Sequence, residues 1–330
     1  MNKVAPVTDV ASNIKPVFVV GMNGSGTTML LDSLGRHPEL YAFPRETRLI
    51  PYLYANRNKY GNLRNDDNFR RLWHEVMRIP AFLHANGMEE MPLPKDWRAH
   101  ARSLAGVLDG VFQYFSKQEG KHRWCEKTPQ HVQHIAVLAK IFPGASFVHM
   151  VRDGRDCAAS FNRRWRRTPE LTIYRWKRVV LEGRRQGAEL GNERYLEIRY
   201  EDLTQAPRKW LGTICDFLQV EFDERILESS QPYLKKASVE DNADGNEGIV
   251  PNSGNWNRYF SARRLERLEK ISGLTLREFG YETAATAGDV NPDRYQLRIW
   301  SVRDFFVQFA REIGLKLSGK IERPWSMILS

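Results

Sequence analysis

A glycine-rich loop between a buried strand and a helix constrains this chain more than any other stretch. Val17–Val20 is a run of apolar residues that predicts a short strand covered on both faces of a sheet. Three glycines follow within Gly21–Gly26, and Met29–Leu34 is typical of the first turns of a helix. Glycine permits positive φ and lets the backbone approach a ligand closely. Because backbone N–H groups and the helix dipole then face one point, the segment predicts phosphate binding.

The loop matches the Walker A pattern, G-x-x-x-x-G-K-[ST], only in part. Gly21 and Gly26 have the required spacing and Thr28 takes the hydroxyl position, but Thr27 stands where the pattern has lysine. In an ATPase or kinase of that type the lysine contacts the β- and γ-phosphates. The loop therefore predicts phosphate binding of another kind, with an ordinary strand-to-helix turn as the alternative.

Further predicted strands indicate an α/β fold. Arg123–Glu126, Ser146–Val151 and Tyr195–Arg199 are separated by helical segments, among them His131–Ile141. This order predicts a P-loop-like, doubly wound parallel sheet flanked by helices, with ligands at the carboxyl ends of the strands. With 330 residues, 42% of them hydrophobic, the chain is long enough for one large domain with an appendage or for two domains.

The two ends of the chain are predicted to differ from its body. Residues 1–15 lack the apolar core of a secretory signal, and we expect a flexible N-terminus there. After a linker, Asp293–Leu317 predicts an amphipathic helix capped by Asn291 or Asp293. Its large apolar side chains need cover; they are Leu297, Trp300, Phe305, Phe306 and Phe309. We expect this helix to dock on the body of the protein or on a second subunit, with an interfacial helix on a membrane as the alternative.

The net charge of +10 indicates anionic partners. Arginines surround Trp165, a combination that can grip phosphates and stack bases. No zinc-ligand pairs or RNA-binding aromatic signatures accompany them, so we expect no nucleic-acid partner. His131 and His134 lack a third ligand at metal-binding spacing, so no metal is expected.

Several ordered motifs resemble the sulfotransferases that use 3′-phosphoadenosine 5′-phosphosulfate (PAPS). Ser25–Thr28 matches the core of that family's 5′-phosphosulfate loop, and Arg36–Glu39 with Arg45–Pro51 are similar to the tyrosylprotein-sulfotransferase branch. The later matches are Glu126–Pro129, Val151–Arg155 with Ser160, and Arg199–Leu203. The resemblance implies a sulfotransferase domain over residues 16–283, followed by a linker and amphipathic helix over residues 284–330.

The resemblance also implies PAPS as co-substrate and in-line transfer of a sulfuryl group to a hydroxyl of a carbohydrate, glycolipid or tyrosyl acceptor. The implied 5′-phosphosulfate site is the loop Gly24, Ser25, Gly26, Thr27 and Thr28. Arg152 and Ser160 match the 3′-phosphate site, unless Arg152 pairs with a neighbouring aspartate. The further cofactor contacts are Arg164 and Tyr200, although packing of Tyr200 against the sheet is an alternative.

Three residues are catalytic candidates. Glu46 is the candidate base, because burial can raise a carboxyl pKa toward useful basicity. The alternatives are a salt bridge of Glu46 to Arg45 or Arg48, and His131 as the base. Lys127 matches a catalytic cation that stabilises charge on the leaving phosphate oxygen, with a merely solvated lysine as the alternative. Ser238 matches a catalytic or cofactor-binding serine in a predicted flexible loop, residues 237–257.

Three cysteines favour a reducing compartment. Cys125, Cys157 and Cys215 form no C-x-x-C pair and no metal-binding spacing. The tyrosylprotein branch carries a cysteine at the place of Cys125, and its partner would fall at Phe43, where no disulfide can form. We therefore expect a cytoplasmic protein.

A second functional hypothesis is a P-loop-type nucleotide or polyanion binding protein without transfer activity. Gly24 favours it, since many sulfotransferases carry a cation at this place. Lys127, Arg152 and Ser160 together favour transfer.

Overall fold

A computed structural model describes residues 14–95, 97–228, 249, 251–284 and 288–317, with side chains to Arg311 in the last helix. The chain divides into two compact units. The sheet unit comprises residues 1–151 and 182–250, and the helical unit comprises residues 152–181 and 251–330. The C-terminal helix belongs to the helical unit because it bonds to the 152–181 segment, and the predicted boundary at residues 283 and 284 stays a prediction.

The sheet unit contains five parallel strands within the described residues, in the order β2-β3-β1-β4-β5. The strands are β1 Val17–Gly21, β2 Leu40–Ala42, β3 Arg123–Lys127, β4 Ser146–Val151 and β5 Tyr195–Arg199. Val19 of β1 lies opposite Lys127 of β3 and Val148 of β4. The predicted parallel α/β fold is confirmed, and β2 is an additional strand too short to show a sequence pattern.

Helices connect and cover these strands. The α-helices are α1 Thr27–Gly35, α2 Ile50–Ala55, α3 Asp66–Met77, α4 Pro80–Ala85, α5 Leu104–Gln118, α6 Ile135–Ile141, α7 Gly154–Trp165, α8 Pro169–Ala188, α9 Tyr200–Gln205, α10 Pro207–Leu218, α11 Trp256–Tyr259, α12 Ala262–Glu278 and α13 Arg294–Leu317. Short 3-10 helices span Arg57–Tyr60, Trp97–Ala99, Pro129–His134 and Glu224–Leu227. The predicted helix over His131–Ile141 is therefore α-helical only from Ile135.

The core lies on both faces of β1. Phe18 packs on one face against Trp124 and Phe147, with ring centroids 5.7 and 5.4 Å away. Val17 and Val19 face the opposite core cluster, in which the hydrophobic side of α1 is buried. The glycine loop begins at the carboxyl end of this buried strand.

In the helical unit, polar contacts fix α13. The Asp293 carboxylate caps the helix by accepting from the Tyr295 and Gln296 N–H groups, at 2.8 and 2.9 Å, as predicted. Buried Asp304 accepts from the Thr168 N–H at 2.9 Å and from its hydroxyl at 2.6 Å. The helix therefore docks within its own unit, but through polar groups. Phe305 and Phe306 stay exposed, so docking within the unit does not cover them, and the expected contact with a second subunit stays a prediction.

Candidate functional site

The glycine loop joins β1 to α1, and no side chain caps the first turn of α1. Gly24 and Gly26 have φ of 84° and 95°, a left-handed conformation that glycine tolerates best. Gly26 is the N-cap of α1 and provides no side-chain cap. A Cβ atom at Gly26 would lie 2.5 Å from the Tyr200 ring, so this position has room only for glycine. Tyr200 thus packs against the loop.

The side chain of Ser25 is a further polar group of this loop. Its hydroxyl is buried and has no hydrogen-bond partner among the described residues. A buried hydroxyl in that state costs about 1–3 kcal/mol. An anionic oxygen held by the loop would accept this bond and those of the first helical N–H groups. The residues present therefore fit a phosphate or sulfate group.

Glu46 and Lys127 form an ion pair at the carboxyl end of β3. Lys127 Nζ donates to Glu46 Oε1 at 2.9 Å, and Arg48 donates through Nε and Nη2 to Glu46 Oε2 at 2.9 and 2.7 Å. The Lys127 side chain is 9% exposed and that of Glu46 is 19% exposed. The structure thus brings together two of the predicted catalytic residues, and includes the alternative salt bridge to Arg48.

The predicted rise of the Glu46 pKa is wrong. Burial raises the pKa of Glu46, but the nearby Lys127 and Arg48 cations outweigh it and hold the pKa below its ordinary value. Glu46 is therefore an ionised carboxylate at neutral pH, able to accept a proton. Arg48 itself has a φ of 50°, uncommon for a residue with a side chain.

Glu126 connects the two segments that carry this pair. Its fully buried Oε1 accepts from the Thr47 N–H and hydroxyl at 3.2 and 3.0 Å, and from the Thr128 hydroxyl at 2.5 Å. Its Oε2 accepts from His131 Nδ1 at 3.0 Å. Thr47 follows Glu46 and Thr128 follows Lys127, so one buried carboxylate fixes the backbone beside both. No pattern in the sequence indicates this role of Glu126.

His131 does not fit its predicted role as a rival base. Its ring is buried, its Nδ1 is engaged by Glu126, and it packs against Phe18 with centroids 6.3 Å apart. In the described part of the chain, no group of three or more His, Cys, Asp or Glu side chains could hold a metal ion.

Replacing Glu126 by leucine should uncouple the two catalytic segments. Glu126→Leu leaves three buried threonine donors without an acceptor, so we expect the free energy of unfolding to fall by about 2–5 kcal/mol. Glu126→Gln keeps one acceptor oxygen for these donors and should lose less. Urea unfolding of both variants measures the difference, and equal stability of the two would contradict this account.

In the helical unit, Arg152 and Asp156 anchor residues 252–256. The Arg152 guanidinium donates through Nη2 to the Asn252 carbonyl. The Asp156 carboxylate accepts from the backbone N–H groups of Gly254 at 2.8 Å and Trp256 at 3.0 Å. Burial raises the pKa of Asp156, and the positive charge of Arg152 partly offsets it. The last residues of the predicted flexible loop are thus held in place, which no sequence pattern indicated.

The neighbouring charges in the helical unit form their own pairs. Asp153 pairs with Arg155, 2.7 Å away, and Arg155 also pairs with Glu269 at 2.7 Å. Ser160 lies four residues after Asp156 on α7, and Arg164 a further four, so the three share one face of the helix. Ser238 lies outside the described residues.

Phe43 and Cys125 are neighbours, as the resemblance implies for this pair of positions. The Phe43 N–H donates to the Cys125 carbonyl at 2.9 Å. Cys125, Cys157 and Cys215 are all buried and form no disulfide.

Comparisons with known proteins identify the family of this chain. The family model described as "Sulfotransferase family" matches residues 16–224. Protein-tyrosine sulfotransferase 1 of Danio rerio is 28% identical over 236 residues, covering 68% of this chain and 58% of the relative. Protein-tyrosine sulfotransferase of Drosophila melanogaster is 26% identical over 219 residues, covering 64% and 39%. The chain thus spans about half the length of the curated relatives it matches.

Two solved structures share the fold. The sulfotransferase domain from the Synechococcus PCC 7002 olefin synthase has a TM-score of 0.54 and 24% identity, covering 82% of this chain and 97% of that domain. The sulfotransferase domain from the curacin biosynthetic pathway has a TM-score of 0.56 and 18% identity, covering 82% and 99%. None of the helices in the described residues is long and apolar enough to cross a membrane.

Proposed function

Because the chain belongs to the sulfotransferase family, we propose that it transfers a sulfuryl group from PAPS to an acceptor hydroxyl. The observation that carries this proposal is the Glu46–Lys127 pair, 2.9 Å apart at the carboxyl edge of the sheet that also carries the glycine loop. A base and a cation at this edge are what sulfuryl transfer requires.

The reaction exchanges one sulfur–oxygen bond for another. The acceptor oxygen attacks sulfur, the bond from sulfur to the 5′-phosphate oxygen breaks, and the acceptor proton passes to Glu46. Lys127 stabilises the negative charge that develops on the leaving phosphate oxygen. An ammonium has three N–H donors and Lys127 gives one to Glu46, so the cation can serve both groups.

The loop Gly24, Ser25, Gly26, Thr27 and Thr28 is the proposed 5′-phosphosulfate site. The unpaired Ser25 hydroxyl supports it, as does the tight Gly26–Tyr200 contact that shapes the loop. Arg152, Ser160 and Arg164 are proposed for the 3′-phosphate, because cations and hydroxyls bind phosphate oxygens strongly. Ser238 is proposed as a further catalytic or cofactor-binding residue, and this proposal rests on the family resemblance alone.

The proposed acceptor is a hydroxyl compound such as a tyrosyl peptide, carbohydrate or glycolipid. The names of the protein-tyrosine sulfotransferases support a tyrosyl peptide as the acceptor. The exposed Arg48 cation beside Glu46 would suit an acidic peptide.

A screen with sulfur-labelled PAPS tests the proposed function. Tyrosyl peptides, oligosaccharides and glycolipids are each incubated with the parent protein and with Glu46→Gln. Label should pass to at least one acceptor class with the parent and far more slowly with the variant. If the parent and Glu46→Gln both bind PAPS but transfer no label to any acceptor class, the result would favour a nucleotide-binding protein without transfer activity.

We also propose a cytoplasmic location. The three buried, unbridged cysteines support a reducing compartment. Fractionation of cells expressing the untagged protein tests it, and recovery outside the cytoplasm would contradict it.

A further inference from the structure

A continuous apolar stripe runs along the exposed side of α13. Tyr295, Ile299, Val302 and Phe306 follow one another at intervals of four, three and four residues, which places them on one face of a helix. Their exposed fractions are 63, 66, 47 and 62%. Phe305, 47% exposed, lies at about 90° to the centre of the stripe, on the same side as Arg298. Single exposed apolar residues are ordinary, but a stripe over three turns marks a contact surface.

The helix cannot turn to bury this stripe, because its opposite face is already fixed. At about 100° per residue, Asp304 lies roughly opposite the centre of the stripe. It is held there by two hydrogen bonds from Thr168. Farther along, Gln308 donates to the Trp165 carbonyl and Arg311 donates to the Arg164 carbonyl at 3.0 Å. The hydrogen bonds on the opposite face of the helix therefore keep the stripe directed outward.

Arginines border the stripe on both sides. Arg298 and Arg303 lie at about 60–80° to either side of its centre, and both are exposed. Arg303 also donates through Nη1 to the Thr168 hydroxyl at 2.8 Å, so Arg298 is the border cation that the variants test. From Arg294 to Arg311, every exposed charged side chain of the helix is an arginine, since Asp304 is buried. An apolar stripe with cations at both borders is the pattern of a helix that lies in the plane of a membrane interface.

We propose that the exposed face of α13 binds the surface of an anionic lipid bilayer. The stripe would enter the boundary between headgroups and acyl chains, and the bordering arginines would meet anionic headgroups, helped by the net charge of +10. A second copy of the chain fits less well. Pairing along the stripe would bring arginines of two copies together, and this face offers no exposed carboxylate between Arg294 and Arg311 to separate them.

Vesicle sedimentation of the full-length protein tests this surface. The protein is mixed with vesicles of phosphatidylcholine alone or with about one third phosphatidylglycerol, at low and high salt. We expect binding to the anionic vesicles that weakens with salt and is much weaker on phosphatidylcholine. Absence of binding to the anionic vesicles would overturn the proposal.

Matched variants locate the contact. Arg298→Gln removes one bordering charge and should weaken vesicle binding about fivefold. Ile299→Glu with Phe306→Glu should weaken it at least about 30-fold. Leu274→Glu, at another exposed apolar residue on α12, is the control and should change little. Unchanged vesicle binding by the first two variants would refute the lipid assignment. It would also be refuted if sedimentation velocity showed that the parent is a dimer and that Ile299→Glu makes it monomeric. Transfer of label to a water-soluble acceptor does not depend on this face of the helix. Absence of that transfer in the parent protein would therefore count against the proposed function and not against the lipid-binding surface.

Discussion

Glu46→Gln is expected to lower kcat by about 10²–10⁴-fold, because the amide keeps the shape of the side chain but cannot accept the acceptor's proton. Nucleotide affinity should change far less, since the glycine loop is a separate element. Steady-state kinetics with saturating PAPS measure the first effect and calorimetry the second. Glu75→Gln is a matched control, because Glu75 also pairs with a lysine, Lys59, at 2.6 Å but on an exposed surface. Near-normal turnover by Glu46→Gln would reduce Glu46 to an ion-pair partner.

The pH profile gives a second test of the same residue. Lys127 and Arg48 hold the pKa of Glu46 below its ordinary value despite burial, so Glu46 stays ionised until the pH falls below that of an ordinary glutamate. The acidic limb of kcat/KM in the parent should lie correspondingly low, and it should vanish in Glu46→Gln. A limb near neutral pH would identify a different base.

Lys127→Ala is expected to lower kcat by about 10²–10³-fold, as loss of one donor to a developing oxyanion does elsewhere. The substitution also removes one of the two cations that lower the pKa of Glu46, so the acidic limb should move to higher pH. Lys59→Ala, the cation of the exposed pair, is the control. An unchanged kcat together with a KM for PAPS raised by a comparable factor would show that Lys127 acts in binding and not in the transition state.

The sequence determined most of the sheet and much of the site. The apolar run before Gly21 predicts β1, and three further strands follow from similar patterns. Three-residue β2 carries no pattern of its own and depends on pairing with β3. No sequence pattern predicts the division into two units, because it depends on long-range contacts such as those between Thr168 and Asp304.

Electrostatic detail could not be predicted in the same way. Sequence spacing placed Glu46 and Lys127 as separate candidates, and only the fold shows that their side chains touch and that the pKa of Glu46 falls. Glu126 belongs to a matching motif, but its hydrogen bonds gave no signal in the sequence, because its partner Thr47 lies 79 residues away. The α13 helix was predicted with its cap, but which face docks depends on Thr168 in a different segment.

The most direct test of the whole account is calorimetric binding of adenosine 3′,5′-bisphosphate, adenosine 5′-monophosphate, ATP and RNA to the parent protein and to Arg152→Ala. We expect the parent to prefer the bisphosphate over the monophosphate and over ATP, with no specific RNA binding. Arg152→Ala should remove most of the preference over the monophosphate, about 1.5–3 kcal/mol for a charge-assisted phosphate contact. Equal affinity of the parent for the bisphosphate and the monophosphate, or tighter binding of ATP or RNA, would contradict the assignment of this chain to PAPS-dependent transfer.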